Sequence, residues 1–169
     1  MIADTKNWHR VILWLFVVKV GYLAIVYSAV SLWSGFDEDR FNAINVKWPR
    51  EGGPVLASHF ATWDGAHYLY LSEEGYSAGV RSCAFYPLWS LTIRWFSVLS
   101  GGSHLVAGMV LANVFSLAAW VLFYHIAARR FGQTVAWWSL VLLVVFPGSL
   151  FYQFIYSEPL FWRCPNFNC

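Results

Sequence analysis

The run VILWLFVVKVGYLAIVYSAVSLW, from Val11 to Trp33, decides the fold. Lys19 is its one charged residue, and at about 1.5 Å per residue a helix of this length crosses a hydrocarbon core of about 30 Å. The run is longer than the apolar part of a signal peptide and lacks a small-x-small cleavage site, so it reads as an uncleaved anchor. Lys6, His9 and Arg10 precede it and acidic residues follow it. By the positive-inside bias the N-terminus is therefore cytoplasmic.

Beyond the anchor, residues 34 to 103 form an outer loop that holds most of the acids of the chain. Within it, residues 58 to 72 have helical periodicity, which puts Asp64, His67, Tyr68 and Leu71 on one face at i, i+3, i+4 and i+7. The stretch 85 to 100 is apolar but short for a crossing and carries Pro87 and Arg94. If it crossed, Arg129 and Arg130 would end up outside. An amphipathic helix lying along the outer interface leaves them cytoplasmic, and is the preferred arrangement. Residues 104 to 128 are then a second span, 129 to 133 an inner turn, and 134 to 156 a third span that returns Ser157 and Glu158 to the side of Asp64. The tail 159 to 169 is irregular.

Composition agrees with this layout. The chain is 59% hydrophobic, 20% aromatic and 12% charged, which excludes a soluble domain of 169 residues and specifies an all-α membrane protein. Eleven tryptophans suit the headgroup region. A net charge of +2 without clustered Lys and Arg excludes a nucleic-acid partner. Cys83, Cys164 and Cys169 lack the spacing of a zinc site, and their odd number argues against a disulfide framework. Asp64 is followed by Gly65 and Ala66, without a second acid nearby, so neither a metal nor another cofactor is expected.

Three fragments carry the chemistry: Trp63-Asp64-x-x-His67-Tyr68 followed by Glu74-Gly75-Tyr76; Ala84-Phe85-Tyr86-Pro87-Leu88; and Phe146-Pro147 with Tyr156-Ser157-Glu158-Pro159-Leu160-Phe161. In this order they resemble the GPI mannosyltransferase 2 (PIG-V) family and its bacterial relatives. These belong to the GT-C class of polytopic glycosyltransferases, which use lipid-phosphate-linked sugars and carry an essential acid in the first outer loop. The resemblance implies the N-terminal part of a GT-C-type fold, with membrane lipid and a polyprenyl-phosphate sugar as partners. It also implies that Asp64 is the catalytic acid, as the base or as the group that orients the acceptor, with Trp63, His67, Tyr68, Tyr86, Arg94, Tyr156, Ser157 and Glu158 binding substrate. Such a protein sits as a multi-pass protein in the plasma membrane of a bacterium or the endoplasmic reticulum of a eukaryote.

Each assignment has a plainer counterpart. Trp63-Asp64 also reads as an interfacial anchor with an acid favoured by the helix dipole. Arg94 and Arg81 also read as headgroup contacts, and Lys19 as a side chain that snorkels inward or pairs within the bundle. Asn113 reads as an interhelical hydrogen bond. Complete members of the family are longer, and the ending Trp162 to Cys169 leaves the apolar pattern abruptly, as a truncation or frame shift does. Three spans enclose little surface for a lipid phosphate and its sugar, so no transfer is expected of this chain alone. The alternative is a non-catalytic remnant, or an accessory subunit that holds a membrane-protein partner.

Overall fold

The computed structural model describes residues 8–32, 38–45, 48–49 and 55–157. Glu158, the tail 159 to 169, Trp33 and parts of the loop between 34 and 54 lie outside the described residues, and with them the expectations placed there. Every regular element described is helical: α1 (Trp8–Leu32), α2 (Glu38–Ile44), α3 (Asp64–Glu74), α4 (Pro87–Ser97), α5 (His104–Phe131) and α6 (Gln133–Val145). Short 3₁₀ segments cover Leu56–Ala61, Arg81–Ala84, Val98–Ser100 and Pro147–Gln153. The chain is an all-α integral membrane protein, with α1 and α5 each long and apolar enough to cross a bilayer.

Apolar residues surround α1, yet only the stripe Val11, Leu15 and Lys19 is buried in the protein. The remaining face, with Leu13, Phe16, Val17, Val20 and Ile25, is exposed and suits lipid. Along α5, Gly108, Ala112 and Ser116 recur every fourth residue on the buried side, and their small size lets neighbouring backbones approach. The reversal from α5 to α6 takes place at Gly132, whose φ of 86° suits glycine, and whose N–H closes α5 by donating to Ala128 O. Arg129 and Arg130 in the last turn of α5 complement the negative end of its dipole.

Three elements differ from their expected outlines. Helical periodicity over 58 to 72 conceals a break, because Leu56–Ala61 is 3₁₀ and α3 begins only at Asp64. The segment 85 to 100, expected at the interface, resolves into α4 plus one 3₁₀ turn, and α4 is about 16 Å long, about half a hydrocarbon core. The expected third span, 134 to 156, is not one helix: α6 ends at Val145 and the chain bends by 77° into Pro147–Gln153. Pro147 explains the bend, since it offers no N–H to the ladder and its ring collides with the carbonyl four residues back. The Val144 carbonyl at this break is satisfied by Tyr22 Oη at 2.7 Å and Ser149 Oγ at 2.6 Å, which accounts for a polar group released from the helical ladder in apolar surroundings.

Packing divides into two cores strung along α5. The half near Phe131 packs Trp120, Tyr124 and Ala127 against Val11 and Leu15 of α1 and Ala136, Leu140 and Val144 of α6. The half near His104 packs Ala107, Leu111 and Ala112 against Ala66, Tyr68 and Leu69 of α3, Trp89 and Ile93 of α4, and Ile155. A polar seam lies between them. Lys19 Nζ, nine-tenths buried, donates to Asn113 Oδ1 (3.2 Å), Tyr152 O (3.3 Å) and Gln153 Oε1 (3.2 Å), and sits 4.6 Å from the Trp120 ring centre. Lys19 therefore pairs within the bundle, tying the bent segment to α1 and α5 together.

Candidate functional site

The second core carries the residues singled out in the sequence, because the bent segment climbs α5 toward the loop. Tyr152 O accepts from Ser116 Oγ at 3.0 Å, and three residues later Ile155 lies against Gly108, about 12 Å further along α5. A β-carbon on Gly108 would stand 2.8 Å from Ile155 Cγ2, and one on Gly65 would stand 3.3 Å from Ile155 O. A side chain at Gly108 would force Ile155 to move, and one at Gly65 would press on the Ile155 backbone. Ile155 N–H then donates to Phe60 O at 2.9 Å, and Tyr68 Oη meets Ser157 Oγ at 2.9 Å. The end of the bent segment is seated directly under the start of α3.

The start of α3 is an unusual piece of backbone. Trp63 has φ 52° and ψ −117°, a region that residues with a β-carbon avoid, at a cost of about 1–3 kcal/mol. Its N–H, which lies outside the helical ladder, donates to Asn45 Oδ1 at 2.9 Å. Gly65 N–H to Thr62 O closes a turn around Trp63 itself, and Ala66 N–H to Trp63 O opens the helix after it, each at 3.1 Å. The result is an elbow that leaves Trp63 58% exposed with Asp64 exposed beside it. An ionised carboxylate in the first turn also gains from the helix dipole.

Of the expected neighbours, His67 and Tyr68 join one cluster. His67 Nδ1 is 2.8 Å from Ser82 Oγ, and its ring stacks on Phe85 at 4.9 Å. Tyr68, 6% exposed, meets Phe85 edge-on at 5.1 Å. The shared face read from periodicity is divided in depth: Asp64 is exposed, His67 half-buried, and Tyr68 and Leu71 are buried. Tyr156 is buried between Phe151 and Phe154, with ring centres 5.7 and 5.9 Å away. Ser157 belongs to the site through Tyr68, while Glu158 lies outside the described residues.

Two expected members stand apart. Tyr86 is 74% exposed at the N-terminal cap of α4, and Phe85 before it is the aromatic that enters the cluster. Arg94 Nη1 lies 3.7 Å from where a Gly75 β-carbon would be, at the far end of α3, about 15 Å along the helix from Asp64. Arg81 is exposed at the start of its 3₁₀ turn. The far end of α3 is tied as well: Trp48 Nε1 donates to Glu73 Oε1 at 3.0 Å, so Glu73 is a partnered carboxylate. Ser72 Oγ donates to Leu69 O and also meets His104 Nδ1 at 2.9 Å, which requires the proton on Nδ1 of that histidine.

Sequence reasoning missed Asn45, Ser82, Phe85 and Ile155. Asn45 and Ser82 carry no local signal, since each matters only through a partner 15 to 18 residues away. Phe85 and Ile155 sit inside or beside quoted fragments, next to residues that drew attention for their polar atoms. Among the described residues no three of His, Cys, Asp and Glu stand together in a way that could hold a metal ion.

The profile of the mannosyltransferase (PIG-V) family matches residues 10–164. The chain is 29% identical over 143 residues to a protein of Drosophila pseudoobscura pseudoobscura named GPI mannosyltransferase 2, and the alignment takes in 73% of this chain and 31% of that protein. The chain thus spans about a third of the length of this relative. No solved structure matches it.

Proposed function

The chain belongs to the PIG-V mannosyltransferase family, and from that membership we propose that it forms the N-terminal part of a GT-C-type enzyme. The enzyme moves mannose or a related hexose from a polyprenyl-phosphate donor to a hydroxyl of a lipid or glycan acceptor. The reaction takes place at the outer face of the membrane, lumenal in the endoplasmic reticulum of a eukaryote and periplasmic or extracellular in a bacterium. The observation that carries this reading is the braced elbow at Trp63-Asp64, a carboxylate and an indole held open at the rim of a packed loop core.

Asp64 is the base. As the acceptor oxygen attacks the anomeric carbon, its proton passes to Asp64 Oδ, and the bond from that carbon to the phosphate oxygen breaks with its electron pair leaving on the phosphate. Fixing the carboxylate on a rigid turn removes the need to orient it during the reaction. The exposed Trp63 ring offers a flat apolar surface to the C–H face of a sugar. His67, Tyr68 and Ser157 line the inner side of the same region, and Tyr156 precedes Ser157 between the rings of Phe151 and Phe154. Because Arg94 lies about 15 Å along α3 from Asp64, its role is with the headgroup region of the donor lipid, and the leaving phosphate draws its stabilisation from other groups.

The test is a transfer assay on a chimera in which this chain replaces the matching region of the Drosophila relative. Asp64→Asn keeps the size of the side chain and removes the proton acceptor, so turnover should fall about 10²- to 10⁴-fold at unchanged membrane abundance. Asp39→Asn is the matched control, since Asp39 is an exposed acid of α2 in the same loop. Full turnover in Asp64→Asn ends the assignment and leaves Trp63-Asp64 as an interfacial anchor.

A further inference from the structure

Asn45 follows α2 directly and is 5% exposed. Its carbonyl oxygen accepts the Trp63 N–H, while its own Nδ2 is buried without a hydrogen-bond partner. An amide at such a place is a poor choice for stability alone, because a leucine of similar volume would leave no orphaned donor. What the amide supplies is an acceptor aimed at a backbone N–H that no helical carbonyl can reach. That N–H belongs to the one non-glycine residue with positive φ among those described. If φ at Trp63 relaxed to negative values, the N–H would turn away from Asn45. The direction of the indole and of Asp64 would change with it.

We propose that Asn45 is a positioning residue that holds the Trp63-Asp64 elbow in its glycine-like conformation and so aims the Asp64 carboxylate. The inference rests on the reading of Asp64 as the base. Asn45 touches neither substrate nor reacting atoms; it acts on kcat through the backbone of Trp63. The strain at Trp63 gives this contact its role, because a residue in an unfavourable region stays there only while its surroundings insist on it. The other braces act elsewhere on the elbow: the Thr62–Gly65 turn, which has Trp63 at its second position, and the Ile155 backbone against Gly65 both leave the Trp63 N–H to Asn45.

Two measurements test the proposal. Backbone amide exchange at Trp63 is read by NMR on the ¹⁵N-tryptophan-labelled chain in lipid nanodiscs, with the Trp120 amide of α5 as the folding control. Transfer kinetics are read on the chimera. Asn45→Leu should speed Trp63 exchange about tenfold and lower kcat about tenfold, with KM within about twofold of the parent. Asn45→Asp keeps the accepting oxygen and removes the orphaned donor, and should leave exchange and kcat within about threefold of the parent. Wild-type exchange or wild-type kcat in Asn45→Leu overturns the proposal. If Asn45→Leu also exposes Trp120, Asn45→Asp decides alone: retained Trp63 protection with retained kcat supports the role, and loss of either overturns it. Failure of the base assignment looks different, as full turnover in Asp64→Asn while Asn45→Leu still exposes the Trp63 amide.

Discussion

Tyr68 and Ser157 are 89 residues apart in sequence and share one hydrogen bond, a side-chain link between the loop core and the end of the bent segment. Tyr68→Phe and Ser157→Ala should each cost about 1 kcal/mol of unfolding free energy in lipid, and a double-mutant cycle should return a coupling of about the same size. Additive effects would mean that the two hydroxyls do not interact. Tyr76 gives a pH dependence. Its hydroxyl donates to Phe85 O at 2.9 Å, and desolvation by burial raises its pKa, with Cys83 adding to the rise and Ser90 opposing it. A raised pKa favours the neutral phenol in the fold, so its contribution is complete below the ordinary tyrosine pKa and is lost as pH climbs through the folded value. Thermal stability should therefore show an alkaline step above about pH 10 that Tyr76→Phe abolishes. At this scale the sequence identified Asp64, His67, Tyr68 and Ser157 as candidates, because unusual polar residues stand out in an apolar chain. It could not reveal Asn45 or the backbone of Trp63, since a tryptophan gives no sign that it will adopt a glycine's conformation.

Ile155 is the wedge between α3 and α5, so the two glycines it faces should differ in tolerance. Gly108→Ala puts a methyl group into the Ile155 side chain at 2.8 Å and should cost about 1–3 kcal/mol, measured by denaturation in lipid. Gly65→Ala meets a backbone oxygen at 3.3 Å, and should shift the elbow and lower transfer more than it lowers stability. Equal loss of stability in both would contradict this division. Lys19→Met keeps the length of the side chain but strands the oxygens of Asn113 and Gln153 and leaves Tyr152 O to Ser116 alone, and should destabilise the protein by about 3 kcal/mol; Lys19→Arg should fail to rescue it, because a planar fork does not fit three acceptors arranged for an ammonium. The two helices long enough to cross a bilayer were legible as uninterrupted apolar runs. The break after Val145 was not, although Phe146-Pro147 stands in the sequence: hydropathy continues through it to Tyr156, while proline ends the helix.

With α1 and α5 as crossings and Ser157 joined to Tyr68, the whole molecule should present its loop core on one side of the bilayer and the Gly132 reversal on the other. In a cysteine-free background, Ala78→Cys should react with an impermeant reagent from the outer side of sealed membranes, and Gln133→Cys only after permeabilisation. Outer-side labelling at Gln133 would invert the topology. The polar seam at Lys19 also has a consequence for the order of synthesis. A lysine near the middle of a span costs about 2.5–3.5 kcal/mol at the translocon. Its acceptors at Asn113 and Gln153 are made 94 and 134 residues later, which at about 5–20 residues per second is about 5 to 27 s. During that interval the apolar residues of α1 must hold the helix in the bilayer unaided, and the last piece of its anchorage arrives only when the bent segment leaves the ribosome.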